Sequence, residues 1–156
     1  MVNSRQKGQK AELLVMNMLQ RHTNLPFIQT PGSGSGKIKG DLYLQHHENV
    51  FCIEVKFYKD DAISTKVFTN KSNNFVQWWS KLEQQAEDSN LEPLLFFKAN
   101  HAQFFVATRR KPWILERYMY ISWLDAYICL AEKWLEHERI GFTNGDRIYE
   151  PWKAAE

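Results

Sequence analysis

Residues 51–57 read Phe-Cys-Ile-Glu-Val-Lys-Phe and carry the pattern that decides the fold. Successive side chains of a β-strand lie on opposite faces of its sheet. The apolar side chains at 51, 53, 55 and 57 therefore share one face, and Glu54 and Lys56 share the other. The segment predicts a strand with two opposite charges side by side. An ordinary half-solvated strand also carries Glu/Lys pairs on its outer face, so that alternative stays open for an isolated pair.

Asp41 lies near this pair in a predicted hairpin. Residues 41–45 and 50–58 have the pattern of two strands, joined through His-His-Glu-Asn at 46–49. The start of the first strand lies beside the end of the second, which brings the Asp41 carboxylate towards Glu54 and Lys56. Two carboxylates at short range repel each other unless a cation lies between them, and hard divalent cations such as Mg2+ prefer oxygen ligands. Alternatively, Asp41 caps a turn or the start of the strand.

Glu12 is the third candidate acid. Residues 4–22 predict a helix with Ser4 as its N-cap, and Glu12 falls at the edge of the apolar stripe rather than on the solvent face. A carboxylate that faces inward needs a partner, although a glutamate at the edge of a core can also extend into solvent. The apolar stripe consists of Ala11, Leu14, Val15, Met18 and Leu19.

The remaining segments alternate between apolar runs and breaks. Further strands are predicted at 26–30, 94–99 and 103–108, and a polar irregular segment at 59–72. A second helix is predicted at 73–88, with Phe75, Trp79, Leu82 and Ala86 on one face. Ser122 is expected to cap a third helix, which carries on one face Trp123, Tyr127, Leu130, Ala131, Trp134 and Leu135.

This order of elements predicts an α/β (α+β) fold, with a central mixed sheet flanked by helices. We expect residues 1–156 to form a single domain. Its core, which holds the three acids, covers about 4–108, and an aromatic helical C-terminal extension covers about 109–156.

The composition narrows the class of protein. With 44% hydrophobic and 24% charged residues, the 156-residue chain is neither disordered nor collagen-like. It has no apolar run near the ~20 residues that cross a bilayer and no signal-peptide pattern, so we expect no membrane partner and a cytoplasmic location. Cys52 and Cys129 lack metal-ligand spacing and are expected to be reduced core thiols.

The charge distribution is more informative than the net charge of +2, which by itself argues against nucleic acid as a partner. The first 59 residues hold eight Lys or Arg and only four Asp or Glu, and three of those four acids are Glu12, Asp41 and Glu54. Once cations neutralise these acids, this part of the chain becomes strongly basic. Nucleic acid is therefore a plausible partner.

The loop Pro31-Gly-Ser-Gly-Ser-Gly36 does not fit a nucleotide-binding motif. A Walker A loop needs glycine at position 31, where Pro31 stands, and Ser or Thr at position 38, where Ile38 stands. We therefore expect no nucleotide cofactor. The exposed amides and the hydroxyls of Ser33 and Ser35 can instead approach a phosphodiester backbone closely.

Four motifs in order resemble one known family. They are Arg5-x-Lys7-Gly8-x-x-x-Glu12, Pro31-Gly32-Ser33-Gly34, Gly40-Asp41 and Ile53-Glu54-Val55-Lys56. Their order and intervals resemble the archaeal type of Holliday-junction resolvase, a group of the PD-(D/E)XK nuclease superfamily, and this implies a restriction-endonuclease-like fold. Gly40 stands where the superfamily usually has proline, and the chain after about Thr108 does not align.

The resemblance implies a metal-dependent site. Glu12, Asp41 and Glu54, with the backbone carbonyl of Val55, would hold one or two Mg2+ ions, for which Mn2+ could substitute. Lys56 would position or help to deprotonate the attacking water, and a catalytic contact of Ser33 with the scissile backbone is also implied. Metal ions bound by clustered carboxylates supply a nucleophile at neutral pH and neutralise the charge that develops in phosphodiester hydrolysis.

Basic residues around this centre are candidates for DNA contact, because they can fix the position of a polyanion. Each of them could equally be a solvated surface charge. Gln85, on the flank of the second helix, is a candidate to reach the site, with structural packing as the alternative. The candidate DNA-binding residues are Arg5, Lys7, Lys10, Ser35, Lys37, Lys39, Lys59, Lys66 and Lys71.

Together these expectations describe a metal-dependent, structure-selective endonuclease that resolves four-way junctions in branched double-stranded DNA by paired symmetric nicks. Symmetric cutting requires two active sites, so we expect a C2 homodimer. Its candidate interface is the aromatic C-terminal third, with Trp113, Tyr118, Tyr120, Trp123, Tyr127, Trp134 and Trp152. The alternatives are a monomeric nickase or restriction-type endonuclease on the same scaffold, or a catalytically silent DNA-binding module.

Overall fold

The computed structural model describes residues 4–31 and 40–143, which form a seven-stranded sheet with helices on both faces. The helices are α1 (Ser4–Thr23), α2 (Asn74–Asp88) and α3 (Ala131–His137). The strands are β1 (Phe27–Gln29), β2 (Leu42–Leu44), β3 (Phe51–Tyr58), β4 (Glu92–Ala99), β5 (Phe105–Thr108), β6 (Met119–Ile121) and β7 (Ala126–Leu130). Short 3-10 helices cover Thr65–Val67 and Ser122–Leu124.

The sheet is mixed, with the strand order β1-β2-β3-β4-β5-β7-β6. Only β3 and β4 run parallel, because α2 crosses over between them, and the other neighbours are antiparallel. The predicted mixed sheet flanked by helices is confirmed. The predicted strands and the first two helices are also found, with ends that differ by one or two residues.

Two apolar layers hold the sheet. The first layer lies under α1 and α3, where Val15 and Trp134 pack with Ile53 of β3. The second lies under α2, where Trp79 is fully buried and its Nε1 donates to the Leu124 carbonyl at 2.9 Å. The two apolar layers cover both faces of β3 and β4. A polar side chain at the centre of the sheet is therefore shielded from bulk water.

The prediction of a long third helix is wrong. Residues 126–130 form strand β7 between β5 and β6, and the helix begins only at Ala131. Asp125, with φ of 50°, ends the 3-10 turn that starts at Ser122 and turns the chain into the strand. Aromatic and branched side chains that suit a helical face also suit a strand, and β7 gains backbone hydrogen bonds on both edges. The aromatic C-terminal third is therefore partly sheet.

The apolar stripe of α1 is narrower than predicted. Ala11, Val15, Met18 and Leu19 are buried, but Leu14 is 49% exposed. Among the described residues, Cys52 and Cys129 are buried and are not joined by a disulfide, as predicted. No helix in residues 4–31 and 40–143 combines the length and the apolar character needed to cross a membrane.

Candidate active site

The candidate site lies where β2 leaves β3. Leu42 pairs with Ile53, and the Asp41 N–H donates to the Ile53 carbonyl at 2.7 Å. Two residues further along β3, the Val55 N–H donates to Oδ2 of Asp41 at 2.8 Å. The carboxylate takes the place of a strand carbonyl and is fixed against the strand that carries Glu54 and Lys56. The predicted approach of Asp41 to this pair is confirmed.

Gly40 makes this approach possible. Its φ is 96°, a conformation open to glycine and strained for other residues. A Cβ atom at this position would lie 2.7 Å from the Ile53 carbonyl oxygen and 3.0 Å from its nitrogen. Proline has a fixed φ near −65°, so the proline usual at this position in the superfamily does not fit this backbone.

Glu54 is half-buried beside Asp41, and its electrostatics follow from this placement. Burial raises the pKa of Glu54 to about 8, and the charge and hydrogen bond of Asp41 add to the shift, whereas Lys56 opposes it. Glu12, on α1, also interacts with this group. Burial and then the Asp41 charge raise the pKa of Glu12 to about 7, again opposed by Lys56. The three predicted acids and Lys56 therefore lie within electrostatic reach of one another.

The donor chemistry of these residues fits a hard divalent cation. Among the described residues, no group of three or more His, Cys, Asp or Glu side chains is placed to hold a metal ion. Mg2+ commonly uses one or two carboxylates and retains several waters. Asp41 and Glu54, which repel each other when both are charged, are the residues that fit this requirement. Glu12, the third predicted ligand, interacts electrostatically with both Asp41 and Glu54, and its role as a metal ligand stays a prediction.

A groove of about 1510 Å³ adjoins Glu12. The first turns of α1 line it, with Glu12 among them, together with residues 29–31, Phe57 and Asn100. Lys7 is fixed across it: Nζ donates to Oδ1 of Asn100 at 3.0 Å and lies 4.3 Å above the Phe57 ring. The predicted DNA contacts Arg5 and Lys10 also line the groove. One side of the groove is therefore basic, and Glu12 lies on the same helix as these basic residues.

The other predicted DNA contacts either lie away from the groove or fall outside the described residues. Lys59, Lys66 and Lys71 are exposed on the segment that follows β3, and they do not line this groove. Ser64 caps the short 3-10 helix in that segment by accepting the Lys66 N–H at 3.2 Å. Four predicted residues lie outside the described part of the chain: Ser33, Ser35, Lys37 and Lys39.

Two groove residues were missed from the sequence. Asn100 sits in the turn after β4, and its position beside the end of β3 follows from the parallel register, which pairs Tyr58 with Ala99. Thr30 follows β1, and its Oγ1 is buried without a hydrogen-bond partner among the described residues. Gln85 Oε1 is likewise buried without such a partner, and no hydrogen bond joins it to the acids within the described chain.

Three known relatives or families are similar to this chain. The family model "Phage putative PDDEXK endonuclease" matches residues 3–139. A curated relative, "Protein D14" of Escherichia phage T5, is 32% identical in an alignment 153 positions long. The alignment covers 89% of this chain and 96% of the relative. A solved structure of Archaeoglobus fulgidus Hjc, described as a Holliday junction resolvase, aligns with a TM-score of 0.44 at 15% identity, over 80% of this chain and 88% of that one. The chain belongs to the PDDEXK endonuclease family and is a nuclease of that type.

Proposed function

We propose that this protein is a divalent-metal-dependent DNA endonuclease that resolves four-way junctions by paired symmetric nicks. The observation that carries the proposal is the hydrogen bond from the Val55 N–H to Oδ2 of Asp41. It fixes one carboxylate against the strand that presents a second carboxylate, Glu54, and the ammonium of Lys56. The motifs around these residues resemble those of archaeal-type resolvases. This resemblance is the reason for proposing branched DNA as the substrate.

The chain's own groups divide the chemistry between them. Asp41 and Glu54, with Glu12 and the carbonyl of Val55 as further oxygen donors, would hold the divalent ion, Mg2+ or Mn2+. When bound, the ion supplies a water of lowered pKa and neutralises charge on the phosphate. Lys56 lies on the same face as Glu54, where its positive charge orients the attacking water and favours its deprotonation. Glu12 accepts a hydrogen bond from water at the groove side of the site.

The basic groove positions the substrate. Arg5, Lys7 and Lys10 lie on the first turns of α1, near Glu12, so a phosphodiester backbone in the groove passes Glu12. Because Lys7 is held by both Asn100 and Phe57, its charge is fixed in place before DNA arrives. Such contacts set the position of a nucleic acid without reading its sequence. Ser33, Ser35, Lys37 and Lys39, which lie outside the described residues, and the exposed Lys59, Lys66 and Lys71 are further DNA contacts in this proposal.

The functional unit is a C2 homodimer. Two strands of a junction are cut symmetrically only if two sites are related by a two-fold axis.

Both cysteines of the chain are buried thiols, which supports a reducing, cytoplasmic location.

A cleavage assay tests the proposal. Labelled four-way junction, linear duplex and flap DNA are incubated with the protein in Mg2+, Mn2+ or EDTA, and the products are mapped on both strands. We expect paired symmetric nicks in the junction, little cutting of the linear duplex, and none in EDTA. Cutting of linear duplex at a similar rate would identify a nickase or restriction-type enzyme. Binding without cutting would identify a silent DNA-binding module.

Variants link the activity to the site. Glu54→Gln and Lys56→Ala should remove cutting and leave junction binding within a few-fold of the unmodified protein. Glu87→Gln is a matched control, because Glu87 is an exposed acid of α2. If both site variants cut at the normal rate, the proposed site is wrong. Sedimentation of the protein at micromolar concentration as a monomer, with or without junction DNA, would contradict the dimer.

A further inference from the structure

Two lysine ammonium groups lie close to one aromatic ring that lines the groove. Nζ of Lys7, on α1, is 4.3 Å from the centroid of the Phe57 ring, and Nζ of Lys98, on β4, is 4.8 Å from it. The two nitrogens are therefore no further apart than these distances together allow. Lys98 is absent from the DNA contacts predicted from the sequence, because only the pairing of β4 with β3 brings it to this ring.

The strand register and side-chain contacts hold both lysines in place. Phe57 and Lys98 are paired residues of the parallel strands β3 and β4, so their side chains are neighbours on one face of the sheet. Nζ of Lys98 also lies 5.4 Å from the centroid of the Phe104 ring, and Lys7 donates to Asn100. Aromatic faces attract a cation but leave its charge in place. The two ammonium groups are thus fixed without being neutralised.

No acid balances these two charges among the described residues. Neither Lys7 nor Lys98 forms an ion pair with a carboxylate in that part of the chain. The groove is lined by three basic residues and one acidic residue, and the acid is Glu12 of the candidate active site. Residues 98–104 contain no Asp or Glu. Like charges repel each other, so an anion that contacts both lysines would stabilise the arrangement.

The place of the ring on β3 connects these lysines with the acids. Phe57 is three residues beyond Glu54 on the same strand, which amounts to about 10 Å. The groove that Phe57 and Lys7 line is also lined by Glu12, whose charge acts on Glu54. One strand of DNA carries a phosphate about every 3.4 Å along the helix axis. A strand held for cutting beside Glu54 therefore has further phosphates within reach of the ring.

We propose that Lys7 and Lys98 form a two-lysine site that binds backbone phosphates of the DNA within about three nucleotides of the bond to be cut. The inference rests on the proposed function and deepens it, because it adds Lys98 as a substrate-contacting residue. Phe57 and Asn100 are positioning residues, since they hold the ammonium groups. Cations that are already fixed lose little side-chain entropy when a phosphate binds.

The competing explanation is that Lys98 only covers the two rings. A lysine stem can pack on apolar surface while its charge remains in water, and such a lysine stabilises the fold without contacting DNA. The two explanations differ in the use of the charge. Packing survives replacement of Lys98 by an uncharged side chain of similar length, whereas a phosphate contact does not.

Binding of a labelled four-way junction in EDTA, measured by fluorescence anisotropy at several salt concentrations, tests the proposal without cleavage. Lys98→Met keeps an apolar stem and loses the charge, whereas Lys98→Arg keeps the charge. We expect Lys98→Met to bind about threefold more weakly or worse. The slope of log K against log salt should become shallower by about 0.9, the value for one lost phosphate contact. Lys98→Arg should bind nearly normally, and Lys81→Met, at an exposed position of α2, should change neither quantity.

Neutral methylphosphonate linkages identify the phosphate that is contacted. One such linkage is placed in turn at each position near the branch point. At the contacted position it should weaken binding by the unmodified protein and by Lys98→Arg. It should not weaken binding by Lys98→Met, because that variant has already lost the contact. Equal losses for all three proteins at every position would show that Lys98 contacts no phosphate.

Other results overturn the proposal. If Lys98→Met binds DNA normally and only unfolds at a lower temperature, Lys98 covers the rings and does nothing more. If millimolar inorganic phosphate stabilises the unmodified protein against heat while Lys98→Met leaves DNA binding unchanged, the site holds a free anion. Normal junction cutting by the unmodified protein, with an unchanged salt slope in Lys98→Met, refutes only the two-lysine site. An unmodified protein that binds no DNA refutes the proposed function as well.

Discussion

The carboxylate of Asp41 accepts the backbone N–H of Val55 at 2.8 Å, at the point where β2 stops accompanying β3. A backbone N–H inside a sheet needs an acceptor, and here a side chain supplies it. The same bond holds a negative charge beside the half-buried Glu54. The Asp41 side chain thus satisfies the backbone of β3 and, by the same bond, lies beside Glu54.

Asp41→Asn and Asp41→Ala should separate the structural from the electrostatic role of this residue. Both substitutions remove the charge that repels Glu54, but only asparagine retains an acceptor for Val55. We expect the alanine variant to be less stable than the asparagine variant by about 1–3 kcal/mol, the cost of an unsatisfied N–H. Urea unfolding in EDTA measures the difference. Equal stability would mean that water replaces the carboxylate at no cost. Both variants should lack metal-dependent cutting.

Gly40→Ala should destabilise the protein strongly. A φ of 96° costs a residue with a Cβ about 1–3 kcal/mol, and contact with the Ile53 backbone at 2.7 Å adds to this. Gly8→Ala is the matched control, because Gly8 lies inside α1 and a Cβ atom added there would have no other atom within 4 Å. The control should gain about 0.5–1 kcal/mol. Thermal unfolding of both variants decides; a Gly40→Ala protein as stable as the unmodified one would refute the steric argument.

The centre of the fold could be predicted because its patterns are local. Alternation in β3 fixes which residues share a face, and the hairpin length fixes where Asp41 lies. Residues 126–130 were misassigned because a short apolar segment satisfies both helical and strand spacing. What decides between them is pairing with β5 and β6, and these contacts are distant in sequence. Asn100 was missed for the same reason, since parallel pairing brings it beside Phe57.

Glu138→Gln should loosen the segment that presents Trp113. The two carboxylate oxygens of Glu138 accept two N–H groups, whereas an amide offers one acceptor and turns an NH2 group towards the other N–H. We expect a loss of about 1–3 kcal/mol in unfolding free energy. Glu136→Gln, at an exposed position of α3, should change it by less than about 0.5 kcal/mol. Equal effects of the two substitutions would show that the buried carboxylate holds nothing in place.

The stability of the metal-free protein should fall as the pH rises from about 4.5 to about 8. The pKa of Glu54 is raised from 4.5 to about 8 in the folded state, and that of Glu12 to about 7. In this window the folded protein holds more protons than the unfolded chain, so raising the pH favours unfolding. Urea titrations in EDTA across the range measure the slope. Glu54→Gln should flatten it, and a slope of the opposite sign in the unmodified protein would contradict the burial of this acid.

Addition of Mg2+ or Mn2+ should stabilise the protein more at higher pH, opposite to the pH trend of the metal-free protein. A cation binds the ionised carboxylates, so below the raised pKa of Glu54 it must displace a proton, and binding weakens as the pH falls. The increase in melting temperature at a fixed metal concentration should therefore be larger at pH 8 than at pH 6. Asp41→Asn and Glu54→Gln should each abolish the increase, because each removes one of the two carboxylates placed to bind the ion. Glu87→Gln should retain it. An increase that survives both site substitutions would place the metal elsewhere on the chain.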